Sequence, residues 1–356
     1  MKRLSGKNTM RTIQRQRGFS LVEIMVALTL SLILLAGVLA VMYSSKVTYM
    51  ENERVGRLQE NGRAALEMIL RDLRGAGFPG CAQPIEGLLA INNTLDDAAD
   101  VAWNLGVSAF GFEASDTTWA PALDTDLIPD ATPGNDIIVV RTIPVGAPSM
   151  RVSAIVNPTD TISVTKVAGE TLVDGTPAII SDCANASIFV ASNFTAGSDT
   201  TATITRATGG GPPANATEDL GAVFAPGARV TPITTVAYYI APNEAETGPS
   251  LWRVNMSVSD GAPQELIPGV EALQIRYGVA AADGVVVDEY LDADEVTDWS
   301  RVISVTLALL VRSAEENAKI VDEREYQLLE TTLEPFNDRY QRALFTTTVT
   351  LRNRTT

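Results

Sequence analysis

The chain of 356 residues has no histidine. It therefore lacks the side chain that most often serves as general base near neutral pH and most often binds metals. No glycine-rich loop ending in Lys-Ser or Lys-Thr is present, and no CxxC pair. Asp, Glu, Ser and Lys remain, but no catalytic constellation emerges from them. The sequence reads as a non-enzyme with no cofactor and no metal. Two further absences are local. Residues 1–18 contain no acid but carry Lys2, Arg3, Lys7, Arg11, Arg15 and Arg17. The nineteen residues Ile24–Met42 contain no charge at all.

An uncharged run of that length is a candidate membrane span. The positive-inside rule keeps its basic end cytoplasmic and sends everything after Met42 across the membrane. Without residues 1–18, the 27 basic and 43 acidic residues become 21 and 43, a net of −22. So acidic a segment is unsuited to broad binding of nucleic acid or anionic lipid. An ordinary signal peptide cut after Val38-Leu39-Ala40 fits poorly. The apolar run exceeds the roughly 7–15 residues usual for such peptides, and helical patterning continues past the cut. Glu23 also lies inside the apolar stretch, where a carboxylate is costly and marks function by default.

Proline is absent from Phe19 to Gly75. Val47, Met50, Val55, Leu58, Ala65, Leu66, Ile69 and Leu73 fall mostly three or four apart, the mark of one buried helical face. Glu53/Arg57 and Glu67/Arg71 sit at the favourable i,i+4 spacing of a solvated face. The 57 residues 19–75 would make one helix about 85 Å long. The cluster Gly75-Ala76-Gly77-Phe78-Pro79-Gly80 stops it. Gly62 costs such a helix about 1 kcal/mol relative to alanine, so it reads as a point of close approach by a sheet or helix. Gly37 reads as a contact point or weak spot in the membrane half.

The run Gly18-Phe19-Ser20-Leu21-Val22-Glu23 resembles the prepilin motif of type IV pilins and type II secretion pseudopilins. That resemblance implies cleavage between Gly18 and Phe19 by a prepilin peptidase, and N-methylation of Phe19. It also implies that Glu23 meets the N-terminal amine of a neighbouring subunit during assembly. A carboxylate in hydrocarbon is tolerable when so paired. An eighteen-residue leader is long; Met10 as start would give nine residues and the same mature product. Further stretches resemble the PilW family of minor pilins. They are Gln59–Leu66, Arg71–Arg74 with Gly77–Cys81, Gly269-Val270-Glu271 with Gln274–Gly278, Trp299–Val305 and Phe345–Arg354. Ala64 departs from that family, where an aromatic residue is expected. The likeness is weakest in residues 85–130 and 195–225.

What this implies is an α+β, type IV pilin-like fold. A leader (1–18) precedes the transmembrane half (19–43) and amphipathic half (44–76) of one long helix. The helix packs on a periplasmic β-rich antiparallel domain (77–356). The implied function is a structural minor pilin that helps initiate type IV pilus assembly in a tip or priming complex. It would sit in the bacterial inner membrane by a single pass, then enter the pilus at or near the tip. Implied partners are the prepilin peptidase, other minor pilins, the major pilin, the inner-membrane assembly platform and a tip-associated adhesin. Two alternatives are a J-type pseudopilin of type II secretion and an adhesin binding through its own β domain. For the latter, loops such as Ile91–Asp130 carry Trp103 and Trp119 as ligand-binding candidates, although both rings read more readily as local core aromatics.

Beyond Phe78, short runs rich in Thr, Val and Ile alternate with turn residues every eight to twelve positions, as in antiparallel sheets. Expected strands are Asp136–Ile143, Arg151–Val156, Thr161–Val167, Ala178–Ser181, Ser187–Ala191, Thr200–Arg206 and Val230–Ile240. Others are Ser250–Asn255, Val270–Tyr277, Val285–Tyr290, Val302–Val311, Tyr326–Thr332 and Thr346–Leu351. Two β subregions are plausible, with a seam in the Gly/Pro-rich residues 207–221. Asp292 and Glu295 have the spacing of a capping box for a short helix before Trp299, and no calcium-loop spacing is present. Cys81 and Cys183, both on the exported side, are expected to form a disulfide.

Overall fold

The computed structural model describes residues 18–77, 91–105, 107–182, 184–245, 247–258, 261–281, 286–316 and 321–351. The chain divides into two compact units, Met1–Arg54 and Val55–Thr356. A single helix, Leu21–Arg74, accounts for 54 residues, or about 81 Å of axial rise. In its second part Leu58, Gly62, Ala65, Ile69 and Leu73 are buried. This is the three-and-four periodicity expected of one core-facing stripe. The stop signal also acts as read: the Gly75 and Ala76 N–H groups bond back to Asp72 and Leu73 carbonyls, and Gly77 turns left-handed at φ 68°. The Gly77 N–H then donates to the Arg141 carbonyl, tying the helix end to a strand.

Among its described residues the second unit holds a six-, a four- and an eight-stranded sheet and a two-stranded hairpin, antiparallel in all pairings but one, with the fold class α+β. The first, six-stranded, runs in the order Gln264–Pro268, Pro249–Asn255, Thr234–Pro242, Ile137–Thr142, Ala109–Ala114, Trp119–Ala120. The second, four-stranded, runs Val287–Leu291, Val270–Ala280, Val302–Arg312, Arg342–Thr350. The third has eight strands, drawn from residues 92–93, 150–152, 162–165, 177–181, 186–190, 193–196, 201–205 and 229–232. Its one parallel pairing joins Asn92–Asn93 to Ala186–Val190.

The central strands of the six-stranded sheet are buried on both faces, and their alternating side chains sort into two cores. Val236, Tyr238 and Ile240, with Ile138 and Val140, pack with helix residues Leu58, Ala65, Ile69 and Leu73 and with the four-stranded sheet. Ala237, Tyr239 and Ala241, with Ile137 and Val139, face the other side, where Phe112 and Ile128 lie. The eight-stranded sheet has a separate core around Ile162, Ile180, Phe189, Ile204, Leu220 and Phe224.

Several strand expectations need correction. Val230–Ile240 is not one strand: the chain leaves the eight-stranded sheet after Pro232 and enters the six-stranded sheet at Thr234. Tyr326–Thr332 folds back as a two-stranded hairpin, with Leu329 left-handed at φ 54° in the turn. Ile91–Asp130 is not all loop, because Ala109–Ala114 pairs with Ile137–Thr142 inside the six-stranded sheet. Trp103 and Trp119 are only half-exposed and pack against buried apolar clusters, and the Trp119 indole donates to the Asn135 carbonyl at 2.9 Å. Asp292 caps no helix. The short 3-10 turn Trp299–Arg301 is capped by Asp298, while the Asp292 carboxylate accepts from Arg276 Nε at 3.0 Å. The strands flanking residues 207–221 belong to the same eight-stranded sheet. Within that stretch Asn215 is buried and bonds both backbone groups of Val190.

Candidate assembly site

The helix begins where its sequence provides a cap. Ser20 Oγ accepts the Glu23 N–H at 3.2 Å, and the Ser20 carbonyl accepts the Ile24 N–H. Ser-x-x-Glu is the capping-box spacing, and it puts the Glu23 carboxylate in the first turn, beside the positive end of the helix. Gly18 and Phe19 precede this cap, and both are exposed. A Cβ built on Gly18 would meet nothing within 4 Å. Neither packing nor backbone strain in this chain therefore asks for glycine there. The leader residues 1–17 lie outside the described residues.

Leu21–Tyr43 presents apolar side chains on all sides of the helix: Leu21, Ile33, Leu34 and Val41 are exposed alongside Leu28 and Leu39. The segment is long and apolar enough to cross a membrane. Its few polar side chains satisfy themselves. Thr29 Oγ1 donates to the Val26 carbonyl at 2.9 Å and Ser31 Oγ to the Ala27 carbonyl at 2.7 Å, so neither hydroxyl needs water. Glu23 is thus the one ionisable group among Leu21–Met42.

Farther along, close approaches and polar contacts hold the helix to the β sheets, among them the Asn61 amide, which donates to the Pro268 carbonyl at 3.3 Å. A Cβ on Gly62 would overlap the ring of Phe345, from the last strand. The glycine lets that ring lie flush on the helix, the role its sequence context suggested. Asp72 is buried with Leu73 and Ile69. Its Oδ2 accepts from the Tyr238 hydroxyl at 2.7 Å and from Arg253 Nη2 at 3.4 Å. Burial, reinforced by the adjacent Asp72 carboxylate, holds the Tyr238 phenol protonated far above its usual range. Sequence reasoning placed no weight on Asp72. The available signal was its position three residues after Ile69, on the face otherwise given to apolar residues.

Other ionisable groups are structural joints. Asp136 immediately precedes the strand Ile137–Thr142 and ties the six-stranded sheet to the four-stranded one. Its two carboxylate oxygens accept the Ala114 N–H at 3.0 Å and the Ile275 N–H at 2.8 Å. Neighbouring Asn135 accepts the Leu273 N–H at 3.0 Å. Together they satisfy donors on a stretch of strand that has no sheet neighbour on that side. Burial, with the Glu113 carboxylate nearby, pushes the Asp136 carboxyl up to about 8. Burial likewise pushes Glu113 up to about 7, against the opposing Ala293 N–H bond. Arg342, with no exposed side-chain surface, binds Glu271 and Asp338, each through paired contacts of 2.6–3.2 Å. Among the described residues, no three His, Cys, Asp or Glu side chains are grouped to hold a metal ion. Cys81 and Cys183 lie outside the described residues.

With this geometry in hand, two family models match the chain. One is the prokaryotic N-terminal methylation motif, over residues 13–39. The other is type IV pilus-assembly protein W, over residues 237–353. No curated protein and no solved structure matches. The first match contains Gly18, Phe19, Glu23 and the uncharged run. The second contains Tyr238, Arg253 and Phe345, the residues that grip the helix at Asp72 and Gly62. Gln59–Leu66 falls outside both.

Proposed function

We infer that this chain, joining a prokaryotic N-terminal methylation motif to a segment of type IV pilus-assembly protein W, is a minor-pilin-like subunit of a type IV pilus. It anchors in the inner membrane by its one apolar helix. Its role is to help nucleate the filament as part of a priming complex at or near the tip, and it is structural rather than catalytic. Its leader, residues 1–18, stays cytoplasmic and is removed by a prepilin peptidase between Gly18 and Phe19, after which Phe19 is N-methylated. The β-rich domain faces the periplasm. There it contacts other minor pilins, the major pilin and a tip-associated adhesin, while the assembly platform engages the membrane helix. Cys81 and Cys183 form a disulfide in that compartment.

The observation that carries this reading is Glu23: a single exposed carboxylate in the first turn of the helix, in a membrane-length segment, Leu21–Met42, that is otherwise uncharged. Charge in hydrocarbon demands a partner, and the described residues of this chain carry no base before Lys46. The amine released at a neighbouring subunit's first residue is a cation at the right depth. Lateral association of the helices then rests on van der Waals packing, because lipid supplies no hydrophobic drive between them.

The test is genetic and biochemical together. Deleting the chain should reduce surface pili while the membrane level of the major pilin is unchanged; normal piliation overturns the priming role. Glu23→Ala should abolish co-purification with partner pilins, and Glu23→Asp should retain part of it. Intact piliation together with lost protein secretion would reassign the chain to a type II pseudopilus.

A further inference from the structure

The outer strands of the three large sheets are mostly blunted in the ways that stop a sheet from adding further strands. Asn92–Asn93 and Trp119–Ala120 have only two residues each, and Pro121 follows the second. In Asn193–Ala196 the Phe194 N–H donates to Asp174 Oδ1 at 2.7 Å. Gln264–Pro268 carries Glu265, ends in proline and has its last carbonyl bonded by Asn61. Val287–Leu291 bears the exposed charges Asp288 and Glu289.

Arg342–Thr350 has none of these protections. It forms the other border of the four-stranded sheet over nine residues, and from Ala343 to Thr350 it contains no charge and no proline. Its pairing decides which backbone groups are left over. At its two ends the Ser313 N–H donates to the Gln341 carbonyl and the Leu351 N–H to the Ile303 carbonyl, in the register of the strand pair. The odd-numbered residues therefore bond Val302–Arg312, while the N–H and C=O groups of Leu344, Thr346, Thr348 and Thr350 point out of the sheet. Among the described residues none of these groups has a hydrogen-bond partner, and all four side chains are exposed.

Donors and acceptors that recur about every 7 Å along a straight border match another extended peptide backbone. The side chains set its composition. Phe345, Thr347 and Val349 face the helix side, Leu344 and the other threonines the opposite side. Neither row offers a charge, so the fitting strand is uncharged and rich in β-branched or aromatic residues. A second copy does not fit. Antiparallel self-pairing places a two-fold axis perpendicular to the sheet. Gly62 lies on Phe345 and Asp72 on Tyr238, so this stretch of helix runs along the sheets, and the axis would reverse its direction in the other copy. The same helix is long and apolar enough to span a membrane, and two copies inserted in one orientation cannot run oppositely.

We propose that the outer border of Arg342–Thr350 docks an uncharged, extended strand of a different polypeptide, added antiparallel as a fifth strand of the four-stranded sheet. The inference goes beyond the assembly reading and does not depend on it.

The experiment is fluorescence anisotropy of a labelled, capped peptide, Lys-Leu-Phe-Thr-Thr-Thr-Val-Thr-Lys, titrated with the full chain in detergent at physiological salt. Laid antiparallel on the border, its Phe opposes Val349 and its Val opposes Phe345, pairs that stabilise sheets. Its first and third threonine amides then point at the protein. The peptide should bind saturably. N-methylation of those two amides should weaken it at least tenfold, whereas N-methylation of the second threonine and the valine, whose amides point away, should change affinity less than about threefold. In the protein, Thr346→Pro removes one outward N–H and spares the ladder to Val302–Arg312, so the melting midpoint should hold while affinity drops about fivefold or more. Absence of saturable binding, equal weakening by the two methylation patterns, or indifference to Thr346→Pro would each overturn the proposal. So would a chain that sediments as a dimer in detergent and becomes monomeric on Thr346→Pro, which would give the border to a second copy.

Discussion

Removing a single oxygen atom from Tyr238 tests how the helix is fixed to the sheets. Tyr238→Phe preserves the ring, which is completely buried, and deletes only the donor that reaches Asp72 Oδ2 at 2.7 Å. Hydrogen bonds to charged groups are worth about 1.5–3 kcal/mol, and a buried acceptor left short of a donor loses about as much. Arg253 still approaches the same oxygen at 3.4 Å, so the expected loss is about 2 kcal/mol. Asp72→Asn keeps an acceptor and should cost about half as much. Asp72→Ala strands the guanidinium and leaves the phenol only the Met68 carbonyl, at 3.3 Å, and should cost about 3 kcal/mol. Urea unfolding of the full chain in mild detergent, followed by near-ultraviolet circular dichroism, gives each difference at constant denaturant slope. The cycle built from Tyr238→Phe, Asp72→Ala and the double variant should return a coupling of about 1.5–2 kcal/mol. A Tyr238→Phe effect below about 0.5 kcal/mol, the size of an ordinary surface change, would refute the view that this contact anchors the helix.

Three further outcomes follow from other sites. Gly62→Leu should lose about 2–3 kcal/mol despite its better helix propensity, because the side chain collides with Phe345; pairing it with Phe345→Ala should recover part of that, as urea midpoints would record. Stability should decline as pH rises from about 4 towards 8. Asp136 and Glu113 hold their protons in the folded chain up to about 8 and about 7 but release them at ordinary carboxyl values once unfolded. Their contribution is complete at the acid end and is lost through the neutral range. Asp322 and Asp338 are shifted downward and act in the opposite sense, but only below about pH 4. Urea midpoints at pH 5 and pH 8 check this, and a midpoint that is flat or higher at pH 8 contradicts it. Finally, the purified denatured chain should titrate no free thiol before reduction and two after it; two beforehand would exclude a Cys81–Cys183 bridge.

How much of this was legible depends on the range over which each signal acts. The helix and its stop at Gly75–Gly77 rest on residues three or four apart, and both were readable. So was the close approach at Gly62, although not the identity of Phe345, which lies 283 residues away in the numbering. Strands with β-branched runs, such as Ile137–Thr142 and Val302–Arg312, emerged near their expected places. Ala109–Ala114 did not, because Ala-Phe-Gly-Phe-Glu-Ala lacks such a run; its Gly111 is explained only by the Tyr277 side chain, whose hydroxyl a Cβ there would overlap. The break at Ile233 was hidden for another reason. Apolar residues continue across it, and only tertiary pairing reveals that the chain changes sheets. Arg342 and Asp72 were opaque because their partners come from distant segments. A charge that is buried and paired looks, in one dimension, like any solvated charge.

The strand Thr234–Pro242 carries a further consequence for folding fidelity. One side offers Val236, Tyr238 and Ile240, the other Ala237, Tyr239 and Ala241. A slip of one position would exchange the two sets, and at the middle position it would merely trade tyrosine for tyrosine. Mis-registration is therefore opposed by volume at the outer positions: valine and isoleucine would be driven into space made for alanine. At the centre, shape is blind. There only Asp72, waiting for a hydroxyl at one depth, distinguishes the correct alignment from its neighbour.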